Sequence, residues 1–155
     1  TYPNWNFTSP FDATLEEVIH LVTQNGYSKA YPSVFGEHQG SSIAYAMDLA
    51  RGGTFTNIPS DYPSGAWYTY TDETCGYDCQ ITEYFYWSLT SLMGAQNYPG
   101  RFDEISHEWR ANTPTLVDSI DSTVFTLLTD STYNLPHVLP DGSYRRWFLN
   151  DPRGY

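Results

Sequence analysis

The chain has 155 residues, a formal net charge of −11 and an aromatic content of 17%. Its Lys and Arg residues number only 7, too few for the basic surface that neutralises phosphates, so we expect no nucleic-acid partner. No apolar run approaches the roughly 18 residues of a membrane helix, and we expect no membrane insertion. The abundance of aromatic rings indicates a folded chain, and its length fits one domain.

The predicted elements begin with an extended N-terminal arm over residues 1–13, which is rich in proline and aromatic residues. A helix is predicted over residues 14–25, with Gly26 as its C-terminal stop. A second helix is predicted over residues 41–50, ending at a pair of glycines. The apolar residues of the first helix recur at helical spacing, at Leu15, Val18, Ile19 and Val22.

Residues 53–78 form a long irregular stretch rich in Gly, Pro, Ser, Thr and Tyr, with a short strand predicted at residues 66–70. Loops of this length inside a domain are often functional. The longest helix is predicted over residues 79–96. A fourth is predicted over residues 101–112, and Pro114 is expected to end it.

One or two short helices are predicted over residues 115–129, with Asp121 as a possible N-cap. Residues 133–155 contain several Pro and Gly turn signals and are predicted to be a turn-rich tail. The sequence thus predicts a mostly α fold: a single helical core domain over residues 14–132 with long aromatic loops and at most a minor β element.

The main chemical motif is the pentapeptide EEVIH at residues 16–20. It differs by one residue from H-E-x-x-H, the helical signature of zinc metallopeptidases. Residues four apart lie on one helix face, so Glu16 and His20 are candidate ligands of one metal ion. Glu17 occupies the position of the general base, which takes a proton from the attacking water.

Glu83 is the best candidate for a third ligand. It is the only charged residue between Asp78 and Arg101, and it lies in a segment dominated by Tyr, Phe and Trp. A carboxylate in such surroundings needs a partner, because an unpaired buried charge is costly. A metal cation is one solution, and an ion pair with Arg51 or Arg110 is another.

An E-x-x-H helix followed by a later helix that carries Glu among aromatics resembles the gluzincin type of zincin metallopeptidase over about residues 14–97. The resemblance implies peptide hydrolysis with Glu16, His20 and Glu83 as ligands, Glu17 as base, and Tyr84 or Tyr86 assisting the oxyanion. Glutamate in place of the first histidine shifts the expected metal from zinc toward manganese or calcium. The sequence lacks the sheet that precedes the active helix in that family, so a catalytically inactive descendant is an open alternative.

The same residues also have purely structural interpretations. The first helix is amphipathic without a metal, and its polar face would ordinarily be solvated. Thr14 with Glu17 fits a capping box, which would give Glu17 a local role. His107 opens a second partial motif, HEWRA, and is either an additional ligand or an exposed helix residue.

Composition and short motifs favour a secreted protein. Cys75 and Cys79 are expected to form a disulfide, Asn6 begins a glycosylation sequon, and Thr1 suggests a segment excised from a longer precursor. In an alternative function the chain is an extracellular binding or structural module, forming a homo-oligomer or polymer through Tyr and Trp. The aromatic residues considered for that role are Tyr62, Trp67, Tyr68, Tyr70, Tyr84, Tyr86 and Trp87.

Overall fold

The computed structural model describes residues 13–139, and this part of the chain is mainly helical, as predicted. Its pairing of extended backbone is limited to one isolated antiparallel bridge between Tyr68 and Trp109. The helices, in chain order, are α1 (Ala13–Val22), a π-helical turn (Thr23–Tyr27), α2 (Ser28–Ala30), α3 (Pro32–Phe35), α4 (Ser42–Arg51), α5 (Tyr77–Leu92), α6 (Arg101–Ile105), α7 (Pro114–Ile120) and α8 (Ser122–Thr129).

The first helix does not stop at Gly26, so that prediction is wrong. Gly26 avoids the left-handed conformation in which glycine ends helices, and the backbone continues through a π-helical turn into α2. The widened turn begins at Thr23, whose hydroxyl donates to the Ile19 carbonyl at 3.0 Å. The continued helix carries the Tyr27 ring onto the core, edge-on to Phe35.

The prediction of α4 is confirmed at both ends. The Ser41 side chain accepts a hydrogen bond from the Ala44 amide, and Gly52 ends the helix with φ 75°. Ala44, Ala46 and other small residues of α4 are fully buried. This close-packed face lies against α5 and α8.

The longest helix, α5, is the centre of the molecule and packs against α1, α4, α7 and α8. Its buried residues lie on all sides, including Ile81, Phe85 and Leu89. It ends at Leu92 rather than at residue 96, because Gly94 takes φ 82° and turns the chain. The disulfide between Cys75 and Cys79 is formed at its N-terminal end, with a Cα–Cα distance of 5.3 Å.

The fourth predicted helix is shorter than expected, because it ends at Ile105. Beyond it the Arg110 amide donates to the Trp67 carbonyl at 3.0 Å, and the buried Trp109 indole donates to Ser91 Oγ at 2.9 Å. These long-range hydrogen bonds take the place of the backbone hydrogen bonds that would continue the helix beyond Ile105. Pro114 begins α7 instead of ending a helix, since proline is well suited to a first helical position.

The predicted N-cap at Asp121 is confirmed, because its side chain accepts from the Val124 amide at the start of α8. Among the described residues, no helix is long and apolar enough to cross a bilayer. The sequon at Asn6, nearly all of the predicted arm and the tail beyond residue 139 lie outside the described part of the chain.

Candidate metal centre

Two helices bring the three predicted ligands together. Glu16 and His20 lie one turn apart on α1, and the buried Ile19 fixes that helix against the core. Glu83 lies on α5, which packs against α1. The i,i+4 spacing places the first two side chains on one face of α1, and the packing presents that face to Glu83.

The ligating atoms of Glu16, His20 and Glu83 all lie within 4.8 Å of one another. His20 Nε2 is 3.7 Å from Glu83 Oε2, and each of these two side chains is 16% exposed. That separation exceeds a hydrogen bond. The three side chains are therefore close enough to bind one ion together.

His20 Nε2 is buried and, within residues 13–139, has no hydrogen-bond partner. Buried polar atoms are almost always satisfied by protein, water or an ion. The His20 ring is held by the edge of Tyr86, at a centroid distance of 5.5 Å. The imidazole is thus oriented by packing, while one of its nitrogens is left without a partner.

Burial and the neighbouring carboxylates of Glu16, Glu108 and Glu17 raise the pKa of Glu83 to about 7. Neither arginine that was considered as its partner takes that role. Arg51 binds Asp48 at 2.8 Å, and the Arg110 guanidinium donates to the Ala66 carbonyl. The surroundings of Glu83 are therefore strongly negative, and they favour a cation.

The residues present fit a divalent metal ion. Two ligands of a tetrahedral ion with bonds of 2.0–2.2 Å lie about 3.4 Å apart, close to the 3.7 Å between His20 and Glu83. One imidazole and two carboxylates suit zinc, and the second carboxylate also suits manganese. The orphaned nitrogen of His20 would gain the partner that it lacks.

The other residues predicted to take part in catalysis, Glu17, Tyr84 and Tyr86, differ in their exposure and in what they contact. Glu17 is exposed and close enough to contribute to the raised pKa of Glu83. The Tyr84 hydroxyl is fully buried and donates to Asp121 at 2.6 Å, so it is unavailable to assist an oxyanion here. Tyr86 does face the centre, where burial and Glu16 raise its pKa to about 12.

Glu108 was not predicted to be a site residue, yet it faces the same carboxylates. The Trp87 indole donates to Glu108 Oε1 at 2.8 Å, and Glu108 contributes to the raised pKa of Glu83. The only sequence signal was its position in the partial motif HEWRA. His107, the residue singled out there, is exposed and lies outside the converging group.

The aromatic residues considered for intermolecular contact are mostly in the core. Tyr68, Tyr84, Tyr86 and Trp87 are buried, and the remaining three of that set, Tyr62, Trp67 and Tyr70, are half-buried. Their ring contacts are largely with one another and with Trp109. These rings build the fold rather than a large exposed patch.

Comparison with protein-family models, curated proteins and solved structures gives no match. The zincin resemblance therefore rests on the motif residues.

Proposed function

We propose that this chain is a secreted, zincin-like domain that binds a divalent metal ion through Glu16, His20 and Glu83. The observation that carries the proposal is the buried Nε2 of His20, which lies 3.7 Å from Glu83 Oε2 and accepts or donates no hydrogen bond within the described part of the chain. The Cys75–Cys79 disulfide is compatible with an extracellular location. The expected metal is zinc or manganese, both of which suit one imidazole with two carboxylates, and calcium is an alternative.

The reaction that this arrangement supports best is hydrolysis of a peptide bond. A bound divalent ion would supply Lewis-acid chemistry and make a water acidic enough to attack near neutral pH. Glu16, His20 and Glu83 would bind this ion, and the Tyr86 ring orients His20. A neighbouring carboxylate must accept the proton of the attacking water, a role that the zincin resemblance assigns to Glu17.

Metal binding can be tested by calorimetric titration of chelator-treated protein with zinc and then with manganese. We expect one ion to bind per chain, and Glu83→Gln to weaken binding by at least about 100-fold, because it removes a charged ligand. Glu73→Gln is the matched control, since it removes one carboxylate from an exposed position. Equal affinities of the wild type and Glu83→Gln would contradict the proposal.

An inactive descendant or an extracellular binding module is the second candidate function. The observation that favours it is Tyr45, which is 62% exposed on α4 beside an open groove that Ser42, Thr126 and Tyr133 also line. Exposed tyrosine supplies contact area with a polar end, a common feature of interfaces. Concentration-dependent self-association that Tyr45→Ser abolishes would support this function.

A further inference from the structure

The backbone of Glu108 is hydrogen-bonded through both its amide and its carbonyl, although the residue lies outside any helix. Its amide donates to the Ile105 carbonyl at 2.8 Å, and its own carbonyl accepts from the Thr69 amide at 2.8 Å. The Thr69 hydroxyl also donates to the neighbouring His107 carbonyl at 2.6 Å. The loop before α5 and the turn after α6 are thereby fastened together at this residue.

Trp87 holds the side chain of Glu108 on the helix face of α5 that carries Glu83. Trp87 lies four residues after Glu83 on α5, so the two side chains share a helix face. Its indole donates to Glu108 Oε1 at 2.8 Å. The guanidinium of Arg101 lies 5.6 Å from the centroid of the Trp87 ring, which further restrains the indole.

Only one of the two carboxylate oxygens of Glu108 is bound by Trp87. Within the described part of the chain, Oε2 accepts no hydrogen bond, whereas Oε1 accepts from Trp87. Burial raises the pKa of Glu108, and Glu16 contributes to the same rise. Glu108 in turn contributes to the raised pKa of Glu83. Glu108 is thus coupled electrostatically to Glu16 and Glu83, while His107 and Arg101 act in the opposite direction on its pKa.

We propose that Glu108, rather than Glu17, is the catalytic residue that moves the proton at the Glu16–His20–Glu83 centre, an inference that rests on the proposed function. Glu108 takes a proton from water as the water oxygen bonds to the carbonyl carbon. It then gives that proton to the amide nitrogen as the carbon–nitrogen bond breaks. One water is consumed, and the products are a carboxylic acid and an amine.

Burial distinguishes the two candidate carboxylates. Glu17 is exposed on α1 and points about 100° around the helix from Glu16. Glu108 is half-buried and hydrogen-bonded, so its orientation is fixed before substrate arrives. A positioned carboxylate in a partly desolvated site is the better proton acceptor.

The test compares Glu108→Gln with Glu17→Gln in zinc-loaded protein, with Glu73→Gln as the unaffected control. Glutamine at 108 keeps an oxygen that accepts from Trp87, so the local structure is preserved. We expect hydrolysis of a quenched fluorescent peptide mixture to fall at least about 100-fold in Glu108→Gln and far less in Glu17→Gln. Zinc affinity, measured by calorimetry, should stay within about tenfold of wild type in both.

Trp87→Phe is a second variant, which removes the indole donor and keeps an aromatic ring. It should lower the hydrolysis rate while leaving zinc affinity within the same range. An equal or larger loss of hydrolysis in Glu17→Gln, or no hydrolysis by zinc-loaded wild type, would overturn the role of Glu108 and leave zinc binding standing. Loss of zinc binding in Glu108→Gln would overturn it too, by making Glu108 a ligand. Failure of wild type to bind zinc would instead refute the proposed function.

Discussion

At the residue scale, the surroundings of Glu83 favour a bound cation. Its carboxylate is 16% exposed, and burial together with three neighbouring glutamates raises its pKa to about 7. The folded protein without metal therefore holds a proton that the unfolded chain releases near pH 4.5. A metal ion bound to Glu83 would displace this proton. Metal-bound protein should therefore gain stability as the pH rises, whereas metal-free protein loses it.

The free energy of unfolding of the metal-free protein should depend on pH through Glu83. The pKa of Glu83 is higher in the folded state than in the unfolded chain. The contribution of Glu83 to the free energy of unfolding is therefore fully present below pH 4.5 and is lost as pH rises through about 7. The loss should be on the order of 3 kcal/mol above that range. Urea unfolding in chelator should therefore show Glu83→Gln gaining stability relative to wild type between pH 4.5 and 8.

Glu73→Gln, at an exposed position, should show no such change relative to wild type over the same pH range. Added zinc should invert the order at pH 8 and make wild type more stable than Glu83→Gln. A difference between wild type and Glu83→Gln that does not vary with pH would contradict the environment described for Glu83.

Sequence patterns identified Glu83 because it is an isolated charge among aromatics, and they identified Glu16 and His20 because their spacing is local. Glu108 could not be found in this way. Its orientation depends on Trp87, and its backbone depends on Thr69. Both partners are distant in sequence, and no local pattern encodes those contacts.

At the scale of elements, the junction of α7 and α8 depends on the single carboxylate of Asp121. Its Oδ1 caps α8 by accepting from the Val124 amide at 3.3 Å. Its Oδ2 accepts from the Trp67 indole at 2.7 Å and from the Tyr84 hydroxyl at 2.6 Å. One buried side chain thus joins α8, α5 and the loop that precedes α5.

Asp121→Ala should destabilise the protein by about 3 kcal/mol, because it removes a helix cap and leaves the Trp67 indole and the buried Tyr84 hydroxyl without their acceptor. Urea unfolding gives the free energy directly. The matched control is Asp118→Ala, which removes an exposed carboxylate from α7 and should change stability by less than about 0.5 kcal/mol. A loss below about 1 kcal/mol in Asp121→Ala would contradict the role described here.

The elements with local signals were predictable, and those set by tertiary contacts were not. A serine cap and a left-handed glycine define α4 within its own sequence. By contrast, α6 ends early because Trp109 is buried against Ser91 and the next residue pairs with Trp67. Glycine commonly ends helices, so the sequence predicts a stop at Gly26, but the backbone there is not left-handed and the helical path continues.

At the scale of the whole molecule, the candidate centre lies at the contact between α1 and α5. Glu16 and His20 lie on α1, whereas Glu83 and the indole that holds Glu108 lie on α5. The chain has a formal net charge of −11, and carboxylates concentrated at one contact between helices repel one another without a cation. A bound ion would therefore both fasten α1 to α5 and relieve this repulsion.

The most direct measurement is anomalous diffraction at the zinc absorption edge from crystals of the chain grown with zinc. The arrangement described here predicts one strong peak bounded by Glu16, His20 and Glu83, at about 2.0–2.2 Å from His20 Nε2 and from a carboxylate oxygen of each glutamate. Zinc found only at surface positions, with no peak between these three side chains, would contradict the proposed metal centre.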